Sequence, residues 1–202
     1  MSSAAGCRMI RRLCTKARFW LLIAVTLVSA CNRSEWRELP VNDGAFSILM
    51  RGDPQYRRQQ VQTPGGKMFA HLYSSDRPDS YFAIGYADYP LSLVVGGSSD
   101  QLFSSVRETW LKRIEGKLVA SDNTLKLDGT YPGSAFEAVG TVNGTAAFLQ
   151  ARLYLVDQRL YQIVAIGRKD ELSQGLINRY MNSFKLIPQS ETGVIQIEPK
   201  AR

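Results

Sequence analysis

Residues 134–167 read SAFEAVGTVNGTAAFLQARLYLVDQRLYQIVAIG, and their pattern decides the fold. Three strand-like runs, Ser134–Val142, Thr145–Val156 and Arg159–Gly167, are separated by breaks of two residues. The first break is Asn143-Gly144. A tight hairpin turn of the favoured hand needs positive φ at both central positions, and Asn followed by Gly reaches it most easily. The second break is Asp157-Gln158. Connections this short join only antiparallel neighbours. The region therefore predicts an antiparallel meander.

Immediately upstream, Lys117–Leu127 reads as extended, with a bend at Asp122-Asn123. Before it, Ser98–Glu115 predicts a helix. Leu102, Val106, Trp110 and Ile114 recur every four residues, with Phe103 and Leu111 beside them. That spacing places them on one helical face. Ser98 followed three residues later by Gln101 fits a capping box, and Gly116 is a natural stop. Downstream, Asp170 is placed to cap a final helix reaching about Lys185, with Leu172, Leu176, Ile177, Tyr180 and Phe184 on its apolar stripe.

Further toward the N-terminus, Gly44–Met50 predicts a strand halted by Arg51-Gly52-Asp53-Pro54. Gln55–Thr63 and Lys67–Tyr73 predict a hairpin around Pro64-Gly65-Gly66. Tyr81–Ala87 alternates, with Phe82, Ile84 and Tyr86 on one face and small residues on the other. Strands, helix, hairpin-linked strands and helix make an α+β chain: an antiparallel sheet with two main helices packed on it, α/β/α-sandwich-like. The boundaries expected are a single domain over 44–188, a lipidated polar tether over 31–43, within which Trp36 and Leu39 could already begin the fold, and a C-terminal tail over 189–202. Val194–Ile197 in that tail could add an edge strand.

Gly44-x-Phe46-Ser47-Ile48-x-Met50 with Pro54 resembles the opening strand of PsbP-like and DcrB-like domains. Arg179-Tyr180-x-x-Ser183-Phe184 resembles their closing helix. The resemblance implies an antiparallel sheet sandwiched by helices, and many bacterial members are envelope lipoproteins. These are core and turn positions, so the resemblance transfers no functional residue.

Residues 1–30 have the layout of a signal peptide. Arg8, Arg11, Arg12, Lys16 and Arg18 precede the apolar run Phe19–Ala30. As a helix that run rises only about 18 Å, short of the roughly 30 Å hydrocarbon core. Val28-Ser29-Ala30-Cys31 resembles the bacterial lipobox. That resemblance implies diacylglyceryl transfer to the Cys31 thiol, cleavage before Cys31 and acylation of the new amine with a chain such as palmitate. Two lipid signals suffice for a stable membrane anchor. Asn32, in place of an Asp, implies sorting to the outer membrane, facing the periplasm. Met9 is an alternative start that gives a shorter signal.

Removing the signal changes the charge argument. The whole chain carries +7, with 25 basic and 18 acidic residues. Five of those basic residues leave with residues 1–30, so the remainder is close to neutral. No basic cluster of the nucleic-acid-binding kind is left. Cys7 and Cys14 leave as well, and lipid occupies Cys31. The domain then has no disulfide and no thiol ligand or nucleophile.

No cofactor motif occurs. His71 is the sole histidine, mid-strand in Ala70-His71-Leu72-Tyr73, with no nucleophile motif elsewhere, and reads as structural. Carboxylate pairs could serve glycoside hydrolysis without it. Asp76 with Asp79, and Asp170 with Glu171, are the nearest, and turn or helix-start chemistry accounts for both. The Arg57-Arg58 pair reads as a solvated strand face. The segment Asp88–Gly97 (DYPLSLVVGG) is unusually apolar for a connection. Its Tyr89, Leu91, Leu93, Val94 and Val95 either cover the sheet edge or form the lip of a groove for a peptide or lipid-like partner. The expectation is a non-enzymatic, lipid-anchored envelope protein that binds or supports an envelope protein partner. The alternatives are a carboxylate-dependent enzyme and a structural periplasmic spacer.

Overall fold

The computed structural model describes residues 36–63, 66–91, 94 and 98–188. In chain order the strands are β1 (Trp36–Val41), β2 (Phe46–Arg51), β3 (Gln55–Thr63), β4 (Gly66–Asp76) and β5 (Ser80–Asp88). Helix α1 (Ser99–Arg113) follows. Then come β6 (Lys117–Asp122), β7 (Lys126–Leu127), β8 (Tyr131–Val142), β9 (Thr145–Val156) and β10 (Arg159–Gly167). Helix α2 (Gln174–Met181) and β11 (Lys185–Leu186) close the fold. The main sheet runs β3-β4-β5-β10-β9-β8-β6, with β7 added beside β8. A small second sheet runs β1-β2-β11. Every pairing is antiparallel.

The main sheet is two meanders joined side by side. β3, β4 and β5 form one, and β8, β9 and β10 the other. β5 and β10 make the seam, where Ile84 stands opposite Ile163. Both hairpins of residues 134–167 form at the expected turns. Asn143 and Gly144 have φ of 52° and 76°, and Asp157 has φ of 53°.

Because side chains alternate along a strand, β10 feeds two cores, while β5 gives its large residues to one of them. On one face Tyr161 and Ile163 of β10 join Phe82, Ile84 and Tyr86 of β5. The small sheet covers them with Phe46, Ile48 and Met50, and Ile177, Tyr180 and Phe184 come in from α2 and the turn after it. On the other face Leu160 and Val164 join Leu149, Ala151 and Leu153 of β9, beneath Phe103, Val106, Trp110 and Ile114 of α1. Antiparallel sheet with a helix on each core is an α+β design.

The residues of the two family-like motifs lock the small sheet in place. The Tyr161 hydroxyl donates to the Gly44 carbonyl at 2.6 Å. Ser183 Oγ accepts from the Leu49 amide at 2.9 Å and donates to the Tyr180 carbonyl at 2.6 Å. Phe46 and Tyr180 are completely buried.

Four expectations are corrected. The fold starts at Trp36, inside the stretch assigned to a tether, because β1 pairs with β2 along its whole length and Trp36 packs edge-on against Phe82 at 5.2 Å. The last helix starts at Gln174, not Asp170. Ser173 caps it by accepting from the Leu176 amide, while Asp170 pairs with Arg168 at 2.9 Å. In α1, Phe103 takes the buried place expected of Leu102, which is half-buried. Gly116 ends α1 by sterics, not by positive φ. Glu115 carries the positive φ, of 46°, and a Cβ on Gly116 would stand 2.7 Å from the Val139 carbonyl oxygen of β8. The Ser98 cap is as expected, accepting from the Gln101 amide. Residues 1–30 with Cys31, and residues 189–202, lie outside the described residues.

Candidate ligand groove

The α1 core lies over the β8–β10 meander and stops near the seam. On the same face no fully described helix lies over the β3–β5 meander, and a long depression runs between it and α1. One part has a volume of about 1200 Å³ and a neighbouring part about 270 Å³, with Gln59, Met68, Ala70, Trp110, Arg113 and Gln162 common to both.

The floor follows from strand register. β5 turns Phe82, Ile84 and Tyr86 into the opposite core, so Ala83, Gly85 and Ala87 face the groove. Ala70 and Leu72 of β4 stand opposite Ala87 and Gly85, and Gln59 and Arg57 of β3 stand opposite those. Small residues near the seam keep the floor low, and apolar atoms of Leu72 and Met68 cover it. The far wall is α1. Trp110 is almost buried, yet its indole edge reaches the seam strand β10, where Nε1 donates to Gln162 Oε1 at 3.1 Å. The Arg113 guanidinium lies 5.3 Å from the Trp110 ring centre, a cation–π distance.

Electrostatically the groove is one-sided. Among the described residues, Arg57, Lys112 and Arg113 line it and no Asp or Glu does. Its neutral polar groups divide between amides, Gln59, Gln62, Gln101 and Gln162, and hydroxyls, Thr63, Ser98, Ser105 and Thr109.

The apolar connection after β5 reaches the end of this groove. Tyr89 lines it, and its amide donates to the Gln158 carbonyl at 2.8 Å. Tyr89 and Val94 pack against the α1 core, whereas Leu91 is 57% exposed. Burial raises the Tyr89 hydroxyl pKa. Leu93 and Val95 lie outside the described residues.

His71 borders the narrower part of the groove, but its ring is engaged with tyrosines. Its ring stacks on Tyr86 at 4.5 Å, and Nδ1 shares a 2.8 Å hydrogen bond with the Tyr56 hydroxyl. Burial, with Arg58 nearby, lowers its pKa. The expectation that Arg57 and Arg58 share one solvated face is corrected. Adjacent strand residues point oppositely, so Arg57 enters the groove while Arg58 lies over the Phe69 ring on the other side at 3.6 Å. Each suggested carboxylate pair is engaged with arginine. Asp79 binds Arg51 at 2.9 Å, and Asp170 and Glu171 both contact Arg168.

A second depression of about 570 Å³ borders Ala45, Tyr131 and Pro188. Its Arg159 and Asp88 already bond to each other through two contacts of 2.6 and 2.8 Å. Their charges are spent inside the protein, unlike those of Arg57 and Arg113. Among the described residues no three His, Cys, Asp or Glu side chains gather as a metal site. No described helix is long and apolar enough to cross a membrane.

The groove's signals in the sequence were partial. The small face of β5 was visible as alternation. Trp110 read purely as core, because a stripe does not reveal that its indole edge also borders the groove.

No family model matches this chain, and no curated protein matches it. A solved structure of a Pseudomonas aeruginosa protein of unknown function, PA94, is similar over 68% of this chain and 86% of that one. The identity is 9% and the TM-score 0.40, too low to carry an argument about fold or function.

Proposed function

We propose that this chain is a bacterial envelope lipoprotein, held to the membrane by lipid on Cys31, whose α+β domain binds an envelope protein partner and performs no catalysis. The single observation that carries the binding half is the groove between α1 and the β3–β5 meander. It combines a part-exposed apolar floor, an aromatic wall and cations that have no acid among the groove's described lining residues. Open concave surface with few placed polar groups is where proteins bind ligands. Supporting the anchoring half are the basic n-region, the short apolar run and Val28-Ser29-Ala30-Cys31. Asn32 favours the outer membrane, facing the periplasm. The finer reading of the fold is an α/β/α-like sandwich of the PsbP-like and DcrB-like kind, with α1 as one outer layer and α2 with the small sheet as the other.

The anchor is tested by metabolic labelling with an alkyne fatty acid. Wild type should incorporate label and partition with membranes. Cys31→Ser removes the thiolate that accepts the diacylglyceryl group, so it should incorporate none and persist as precursor. Equal labelling of the two would contradict the anchor.

A further inference from the structure

The groove's chemistry narrows what it takes. Three features act together. Arg57 stands on the β3 side and Arg113 with Lys112 on the α1 side, with no carboxylate among the lining residues. Arg57 and Arg113 are exposed, and neither forms an ion pair with any described acid. That demands an anionic occupant. Leu72, Met68 and Gly85 leave apolar floor open beside Trp110, which demands apolar groups on the same occupant. Gln59, Gln62, Gln101 and Gln162 supply both donors and acceptors. These amides, with the hydroxyls of Thr63, Ser98, Ser105 and Thr109, match a ligand that itself alternates N–H and C=O, as a polypeptide backbone does. An acyl chain offers neither, and it would leave such groups without partners at a cost of about 1–3 kcal/mol each where they become buried.

We infer that the groove binds a linear acidic segment of a partner polypeptide. Its carboxylates pair with Arg57 and Arg113, and an apolar side chain lies over Leu72 and Gly85 against the Trp110 ring. Guanidinium groups suit this role, because they take carboxylates in a two-pronged, charge-assisted geometry. The β3–β5 meander and α1 then act as two jaws, one cation on each. The inference rests on the binding reading above and specifies its partner.

The test uses the full-length chain in detergent micelles and a displayed library of random dodecapeptides. Selected peptides should be enriched in Asp and Glu flanking apolar residues. The best of them, synthesised with a fluorophore, should lose affinity by about tenfold or more for Arg57→Glu/Arg113→Glu. Replacing the peptide's acids by Lys should restore binding to that double variant and abolish it for wild type. Should the double variant melt early, Arg113→Gln alone, on an exposed helix position, should still weaken binding. Selection of nothing, selection without acidic enrichment, or affinity unchanged by the substitutions would each overturn the inference. Binding of sodium palmitate that the double variant loses, with no peptide selected, would overturn it in favour of a lipid. Loss of fatty-acid labelling at Cys31 would remove the anchor and leave this result untouched, so the two readings fail separately.

Discussion

The two meanders of the main sheet obey the same alternation and differ in what lies above them. β8–β10 has α1 on one face, and its Leu149, Ala151 and Leu153 are sealed. Among the described elements, none covers that face of β3 and β4 as α1 covers β8–β10. Residues of equivalent alternation there, Leu72, Ala70 and Met68, are half-buried, and β3 is exposed along most of its length. The lesson is that one helix sets the division of labour. A helix of about 15 residues cannot span seven strands spaced about 4.8 Å apart, so part of the face is left open. The sealed meander contributes stability, and the open one offers a surface.

The largest expected difference between the meanders is energetic. Phe136 is 1% exposed beneath α1, so Phe136→Ala should cost about 3–5 kcal/mol in denaturant titration. Leu72→Ala on the open meander should cost less, about 1–2 kcal/mol, since that side chain is only part-buried. Equal costs would mean that the open meander is covered in solution.

A smaller effect belongs to the seam. Trp110→Phe keeps most of the packing but removes the donor to Gln162. It should cost about 1 kcal/mol, the usual net worth of a hydrogen bond. A much larger loss would place the indole wholly within the sealed core.

The smallest effect tests the latch at the far end of β5. The hydrogen-bonded Arg159 guanidinium holds the Asp88 carboxyl below the usual carboxylate range. A depressed folded-state pKa gives stability that is present above the unfolded value of about 3.9 and lost as pH falls through the folded value. Melting curves of wild type and Asp88→Asn should therefore differ near neutrality and converge as the pH drops below about 4. Both side chains are partly exposed, so the gap should be small and shrink in salt. A gap that persists unchanged into acid would mean that the ion pair is not its source.

How legible each meander was from sequence follows the same division. β9 and β10 were readable to the residue, because both hairpin turns use residues that tolerate positive φ and both strands alternate strongly. α1 was readable from its cap and stripe. β1 was not, because Trp36–Val41 alternates weakly and becomes a strand only by pairing with β2. The start of α2 was misplaced because Asp170 looks like a cap, and only the structure shows its carboxylate turned to Arg168. The groove was the least legible. It is made by what α1 fails to cover, and a gap between elements distant in sequence leaves no local pattern. Even its cations were obscured, since Arg57 and Arg58 look like one patch until strand geometry separates them.

The claim that α1 leaves one meander open is tested most directly by methionine oxidation in the native protein. Met68 lines the groove and is half-buried, whereas Met50 and Met181 are at most 1% exposed within the opposite core. Dilute hydrogen peroxide followed by peptide mass spectrometry reads all three at once. Thioether oxidation needs access by the oxidant, so Met68 should convert to the sulfoxide well before the other two. Binding of a selected acidic peptide should slow Met68 alone. Protection of Met68 equal to that of Met50 and Met181 in the free protein would contradict the open groove.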